Sequence, residues 1–120
     1  MSRNKPRIKH YGDGITRNAV KSFARMLPKM GNITVVRGEF DNSRKWYRVR
    51  FINDMGHQFV FHGFAWWFGG EGPNGLVKCL ISLGFEYEQV KWLMGREWAG
   101  DNHMPNCWKL EVPHALGVKA

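Results

Sequence analysis

ITVVRGEFDNSRKWYRVRFINDMGHQFVF, residues 33–61, holds the longest run of strand-forming sequence in the chain. β-Branched and aromatic residues crowd Ile33–Phe40, Trp46–Ile52 and His57–Phe61, and the turn-forming runs Asp41-Asn42-Ser43 and Asn53-Asp54-Met55-Gly56 separate them. The pattern predicts three antiparallel strands in a meander. In the second strand Tyr47, Val49 and Phe51 alternate with Trp46, Arg48 and Arg50, so one face is apolar and the other sets two arginines beside an indole. That polar face has two readings. Arg48 and Arg50 pair with an acid on a neighbouring strand such as Glu39, or they join Trp46 in stacking on bases and clamping phosphates.

Working outward toward the N-terminus, the charge becomes very uneven. Residues 1–30 carry eight Lys+Arg against the single acid Asp13, a net +7, whereas residues 31–120 carry ten against nine, a net +1. Nearly all of the formal +8 therefore sits in one quarter of the chain. A concentrated positive field attracts polyanions and releases their counterions, so it bears on partners rather than on fold. Residues 1–12, with Arg3, Lys5, Arg7 and Lys9, read as a basic arm. From Asp13 onward Ile15, Ala19, Val20, Phe23, Met26 and Leu27 recur at the helical period, while Arg17, Lys21, Arg25 and Lys29 step by four along another face. This predicts an amphipathic basic helix that Asp13 or Thr16 caps and that Pro28 with Gly31 ends. Like charges at that spacing repel by a few tenths of a kcal/mol per pair. A partner, or acids such as Glu86 and Glu88, would relieve the repulsion.

Toward the C-terminus the meander runs into Gly63-Phe64-Ala65-Trp66-Trp67-Phe68-Gly69-Gly70-Glu71-Gly72-Pro73-Asn74-Gly75-Leu76. Pro73 suits a first helical turn, and Leu76, Val77, Leu80, Ile81 and Leu83 follow at helical spacing until Gly84 supplies a C-cap. A glycine-rich loop feeding a helix N-terminus is a natural anion site, which makes Gly69, Gly70, Gly72 and Asn74 candidate phosphate donors. Neither a Walker pattern nor a complete G-x-G-x-x-G is present, and Glu71 adds a negative charge. The competing reading is structural: Trp66, Trp67 and Phe68 anchor the loop in the core and the glycines serve a tight reversal.

The loop resembles a Trp-Gly-Tyr-Gly-Gly-x-Gly-Pro-x-x-Leu signature of small, largely uncharacterised bacterial and phage proteins. Trp66, Gly69, Gly70, Gly72, Pro73 and Leu76 carry the match, with Trp67 in place of the glycine and Phe68 in place of the tyrosine, over about 13 of the 120 residues. The resemblance implies no defined activity. It implies a phage or mobile-element setting, in which small basic proteins bind nucleic acid or block a host defence system, as an anti-CRISPR does, and hence a place in the host cell cytoplasm.

Glu86–Met94 predicts a second short helix that completes an α-hairpin, Cys107–Val112 a closing strand, and 114–120 a tail. The longest apolar run, around Phe64–Phe68, is too short to span a bilayer, and no apolar segment follows the charged N-terminus as in an export signal. Two cysteines, Cys79 and Cys107, suit a reducing, cytoplasmic setting. The histidines His10, His57, His62, His103 and His114 are scattered without metal-ligand spacing, so no cofactor or metal is expected. His57 and His62 have opposite parity on one strand and do not pair, while Cys79 reads as a buried apolar residue.

The chain is therefore expected to be a single α+β domain over residues 13–113, with a three- to four-stranded antiparallel sheet, a basic N-terminal helix and an α-hairpin. Its expected role is non-enzymatic recognition of a polyanion, nucleic acid or nucleotide. The field comes from Arg3, Lys5, Arg7, Lys9, Arg17, Lys21 and Arg25, and the closer contacts from Trp46, Arg48 and Arg50. The alternatives are a direct protein–protein inhibitor of a host complex and a small nuclease using His57 or His62 beside Arg48.

Overall fold

The computed structural model describes residues 5–95 and 105–113. Arg3 and the tail expected over 114–120 lie outside them. The meander forms as its alternation requires: β2 is Ile33–Asp41, β3 Trp46–Asn53 and β4 Gln58–Phe61, paired antiparallel in sequence. Cys107–Glu111 closes on the far side of β2 as β5, also antiparallel.

The other edge differs from the expectation. Ile8–Tyr11, within the stretch read as an arm, is a strand, β1, running parallel to β4. The sheet thus has five strands in the order β1-β4-β3-β2-β5 and is mixed rather than wholly antiparallel. Four exposed or half-exposed residues, Ile-Lys-His-Tyr, show too short an alternation to announce a strand. The parallel partner, about fifty residues away, supplies the backbone pairing instead.

Two helices cover one face of this sheet. α1 spans Thr16–Met26 and passes into a 3₁₀ turn at Leu27–Lys29, where Pro28 removes a backbone donor and Gly31, at φ +76°, reverses the chain. Ile15, not Asp13 or Thr16, occupies the N-cap position; Asp13 acts just before it, accepting from Ile15 N (3.1 Å) and Asn18 Nδ2 (3.0 Å). The Thr16 hydroxyl donates to Gly63 O at 2.6 Å, tying the helix to the end of β4. α2 spans Glu71–Ser82 and lies against α1 where Gly75 faces Thr16 and Val20. α3, Tyr87–Val90, is a single turn closed by a Glu86/Gln89 capping box and extended by a 3₁₀ turn over Lys91–Met94.

Ala19 and Phe23 from α1 and Leu76, Val77 and Leu80 from α2 meet Val36, Val49, Phe51, Phe59 and Phe61 of the sheet in one core. Phe23 packs on Phe51 and Phe61 at centroid distances of 4.9 and 5.7 Å. At the β5 edge the core is built from tryptophans. Trp66 is fully buried, donates its indole N–H to Pro105 O and meets Trp108 edge-on, and Trp108 in turn meets Trp92. The loop aromatics are therefore core residues at Trp66 and partly so at Trp67, while Phe68 is exposed. Among the described residues no helix is long and apolar enough to cross a membrane.

Candidate polyanion interface

The register sorts the polar strand residues between two surfaces. On the face away from the helices stand His10 from β1, Gln58 from β4, Arg48, Arg50 and Trp46 from β3, Arg37 and Glu39 from β2, and Lys109 from β5. The structural reading of the arginines holds for Arg50, whose Nε donates to Glu39 Oε2 (3.1 Å) and whose second nitrogen donates to Gln58 Oε1 (2.8 Å). Arg48 is held more loosely. Its Nε is 4.0 Å from Glu39 Oε1 and is buried without a hydrogen-bond partner, and its guanidinium carbon sits 4.0 Å from the Trp46 ring centroid. Trp46 thus has one face already occupied by a cation of its own strand.

The charges of the N-terminal quarter gather elsewhere. A groove of about 1230 Å³ runs between β1 and the C-terminal end of α1, lined by Lys5, Arg7, Lys9 and Lys29 together with His57 and Gln58. Its floor is Tyr11, Phe59 and Met26. The Tyr11 ring lies nearly parallel to Phe59 and Phe61, at 6.4 and 5.1 Å, and is half-exposed to the groove. Among the described residues the groove lining contains no carboxylate. Among the described residues none of its four lysines and arginines forms an ion pair with an acid. The Arg7 backbone N–H donates to His57 Nδ1 at 3.0 Å, which fixes the turn before β4 against the segment leading into β1.

Arg17, Lys21 and Arg25 are exposed along α1, and none of the three pairs with an acid among the described residues. Glu86 and Glu88 do not relieve them. Glu88 pairs with Lys91 at 2.6 Å, and Glu86 is engaged in the α3 capping box. The helix therefore keeps its like-charge repulsion, and that uncompensated row lies on the helix whose end bounds the groove.

The glycine loop is explained largely by packing. A Cβ on Gly72 would stand 2.8 Å from the Ala65 Cβ, and one on Gly75 would stand 2.7 Å from the Thr16 methyl. The Asn74 amide donates to Gly70 O at 2.8 Å and so serves the helix's own first turn. Gly69 alone faces open space. Trp67, at the position where the resembled signature has glycine, adopts φ +82°, a left-handed conformation that favours glycine.

Among the groove residues, the sequence pattern marks Lys29 only as part of the helix and His57 only as a nuclease candidate, and it assigns Tyr11 no role, since the groove depends on β1 being a strand. The same strand creates a second arrangement. His10 Nδ1 stands 2.9 Å from His62 Nε2, with the rings 5.2 Å apart and 20° from parallel. His62 is fixed by its backbone, which donates to Tyr11 O (2.9 Å) and accepts from Gly14 N (3.3 Å). Burial first, then the charges of His10, Arg48 and Arg50, hold its imidazolium below the usual range. His57 stands apart from this pair, in agreement with its opposite strand parity. Burial pushes the Cys79 thiol up to about 12, as suits an apolar core residue rather than a nucleophile. Among the described residues no group of three or more His, Cys, Asp or Glu is arranged to hold a metal.

No family model, no curated protein and no solved structure matches the chain.

Proposed function

We propose that this chain is a small binding protein that recognises nucleic acid through the groove between β1 and the end of α1. The carrying observation is the groove's composition: Lys5, Arg7, Lys9 and Lys29 surround a floor of Tyr11, Phe59 and Met26, and among the described residues no acid lines it and no ion pair neutralises the cations. Four unneutralised cations this close together attract a strand of phosphates and release its counterions. Tyr11, half-exposed between them, offers a stacking surface of the kind that single-stranded segments use. Arg17, Lys21 and Arg25 extend the field along α1, whereas Trp46 and Arg48 stand outside the groove on the helix-free face. The resemblance of the loop to phage proteins adds the setting: an inhibitor of a host defence complex whose groove competes for the nucleic acid that the complex needs.

Binding of a single-stranded oligonucleotide tests the reading. Four phosphate contacts predict a slope of about −3 in log affinity against log salt. Replacing Lys5, Lys9 and Lys29 by Glu should weaken binding to all sequences alike, and salt-independent affinity, or none at low salt, contradicts the proposal. Retrieval of the same host protein from nuclease-treated lysate by wild type and by the groove variant would instead support direct protein–protein inhibition.

A further inference from the structure

The His10–His62 pair stands at one end of the helix-free face, in a pocket of about 740 Å³ distinct from the basic groove. Gly12, Gly63, Trp46 and Lys45 form its walls. Continuing the β3–β4 register one step beyond the Val49–Phe61 pair sets His62 across from Arg48. Arg48 stacks on Trp46, which lines the pocket, and its charge reaches His62; its Nε, 4.0 Å from Glu39 Oε1, has no hydrogen-bond partner among the described residues, whereas its neighbour Arg50 is committed to Glu39 and Gln58.

We propose that His10, His62 and Arg48 form a binding site for a phosphate monoester, whose occupancy is coupled to proton uptake by the histidine pair. In the empty site one imidazole donates and the other accepts across 2.9 Å, so only one of the two facing nitrogens carries a proton. A second proton would set N–H against N–H and part the rings. A phosphate dianion placed between them receives a hydrogen bond from each ring, one of them now an imidazolium, and another from the Arg48 guanidinium, so phosphate and one proton bind together. Other charges face the pair. Arg50 on β3 and Lys45 on the β2–β3 turn favour the anion. Glu39 on β2 accepts from Arg50 and lies 4.0 Å from Arg48 Nε, and Asp13, in the pocket lining before α1, accepts from Ile15 N and Asn18. Two ligands present this chemistry, a mononucleotide and the phosphorylated end of a strand. The site uses none of the groove cations and stands whether or not the groove binds nucleic acid.

The test titrates the full chain with inorganic phosphate, with sulfate, with a nucleoside 5′-monophosphate and with one oligonucleotide carrying either a 5′-phosphate or a 5′-hydroxyl, following the histidine ring nitrogens by NMR in the presence of a chelator. Phosphate monoester affinity should rise as pH falls from 8 and level off near about pH 6, where the ester takes up its own second proton. Sulfate affinity, lacking that proton, should go on rising. Arg48→Gln should cost about tenfold, one charge-assisted hydrogen bond. His10→Gln, on an exposed edge position, removes one of the two facing rings and should flatten the pH dependence while the fold persists. Preference for the 5′-phosphate oligonucleotide over the mononucleotide identifies a strand end, and the reverse identifies a free nucleotide. Equal affinity at pH 6 and 8, an unchanged His10→Gln profile, no binding of any phosphate probe, or binding abolished by the chelator overturns the proposal.

Discussion

The indole of Trp108 fills the space above Gly38: a Cβ built on that glycine would lie 2.2 Å from the ring's Cε2. The two residues face each other across the β2–β5 ladder on the core side. Trp108 anchors the tryptophan cluster that holds β5 and the 3₁₀ turn after α3 together. Gly38→Ala should therefore destabilise the fold by about 1–3 kcal/mol through overpacking. A denaturant midpoint unchanged from wild type would show that the ring moves aside freely.

The loop glycines should divide by what faces them. Gly75→Ala drives a methyl into Thr16 and Val20 at the α1–α2 contact and is expected to cost about 1–3 kcal/mol. Gly69→Ala meets nothing within 4 Å and should leave both thermal stability and polyanion affinity unaltered. Loss of affinity with Gly69→Ala at unchanged stability would restore the loop as a phosphate contact.

His62 gives the native state a distinct pH signature. Its native value lies below the ordinary 6.5, so between the two values the unfolded chain binds more protons than the folded one. Stability is fully retained above pH 6.5 and declines as pH falls through that window. Asp13 and Asp41 are held below 3.8, mainly by backbone N–H donors at Ile15 and Arg44, and contribute their loss only in a lower window. Urea midpoints across pH 5–7 in phosphate-free buffer should slope downward toward acid, and the slope should vanish in His62→Gln.

The two thiols should behave oppositely. Cys107 is exposed on β5, and Cys79 is buried within α2 with its thiol held near 12. A disulfide reagent at pH 8 should label Cys107 promptly in the native state and Cys79 only once the chain unfolds. Prompt native labelling of both would mean that α2 opens from the core.

Local patterns carried much of this architecture. The alternation of Tyr47, Val49 and Phe51 with Trp46, Arg48 and Arg50 places β3 with one buried and one polar face. The stripe from Ile15 to Leu27 places α1 with Ala19 and Phe23 buried. Glu39 was also a visible partner, since β2 and β3 pair directly and set it opposite Arg48. Non-local pairing was hidden. Ile8–Tyr11 becomes a strand only because β4 accepts it in parallel, and no short-range signal in four polar-rich residues announces that. The basic groove and the His10–His62 contact both depend on that strand. Hence the charges were legible as a set while their meeting point was not. The loop misled for a different reason: a glycine required by a packed neighbour, as at Gly72 or Gly75, has the same spelling as one that admits a phosphate.

The salt dependence of single-stranded oligonucleotide binding separates the groove from the opposite face when measured for wild type, for the groove variant Lys5→Glu/Lys9→Glu/Lys29→Glu and for the face variant Arg48→Gln, with folding of each verified by circular dichroism. The groove reading predicts a slope of about −3 for wild type, a slope near zero with lost affinity for the groove variant, and a wild-type slope for Arg48→Gln. A groove variant that binds with wild-type affinity and slope would contradict it.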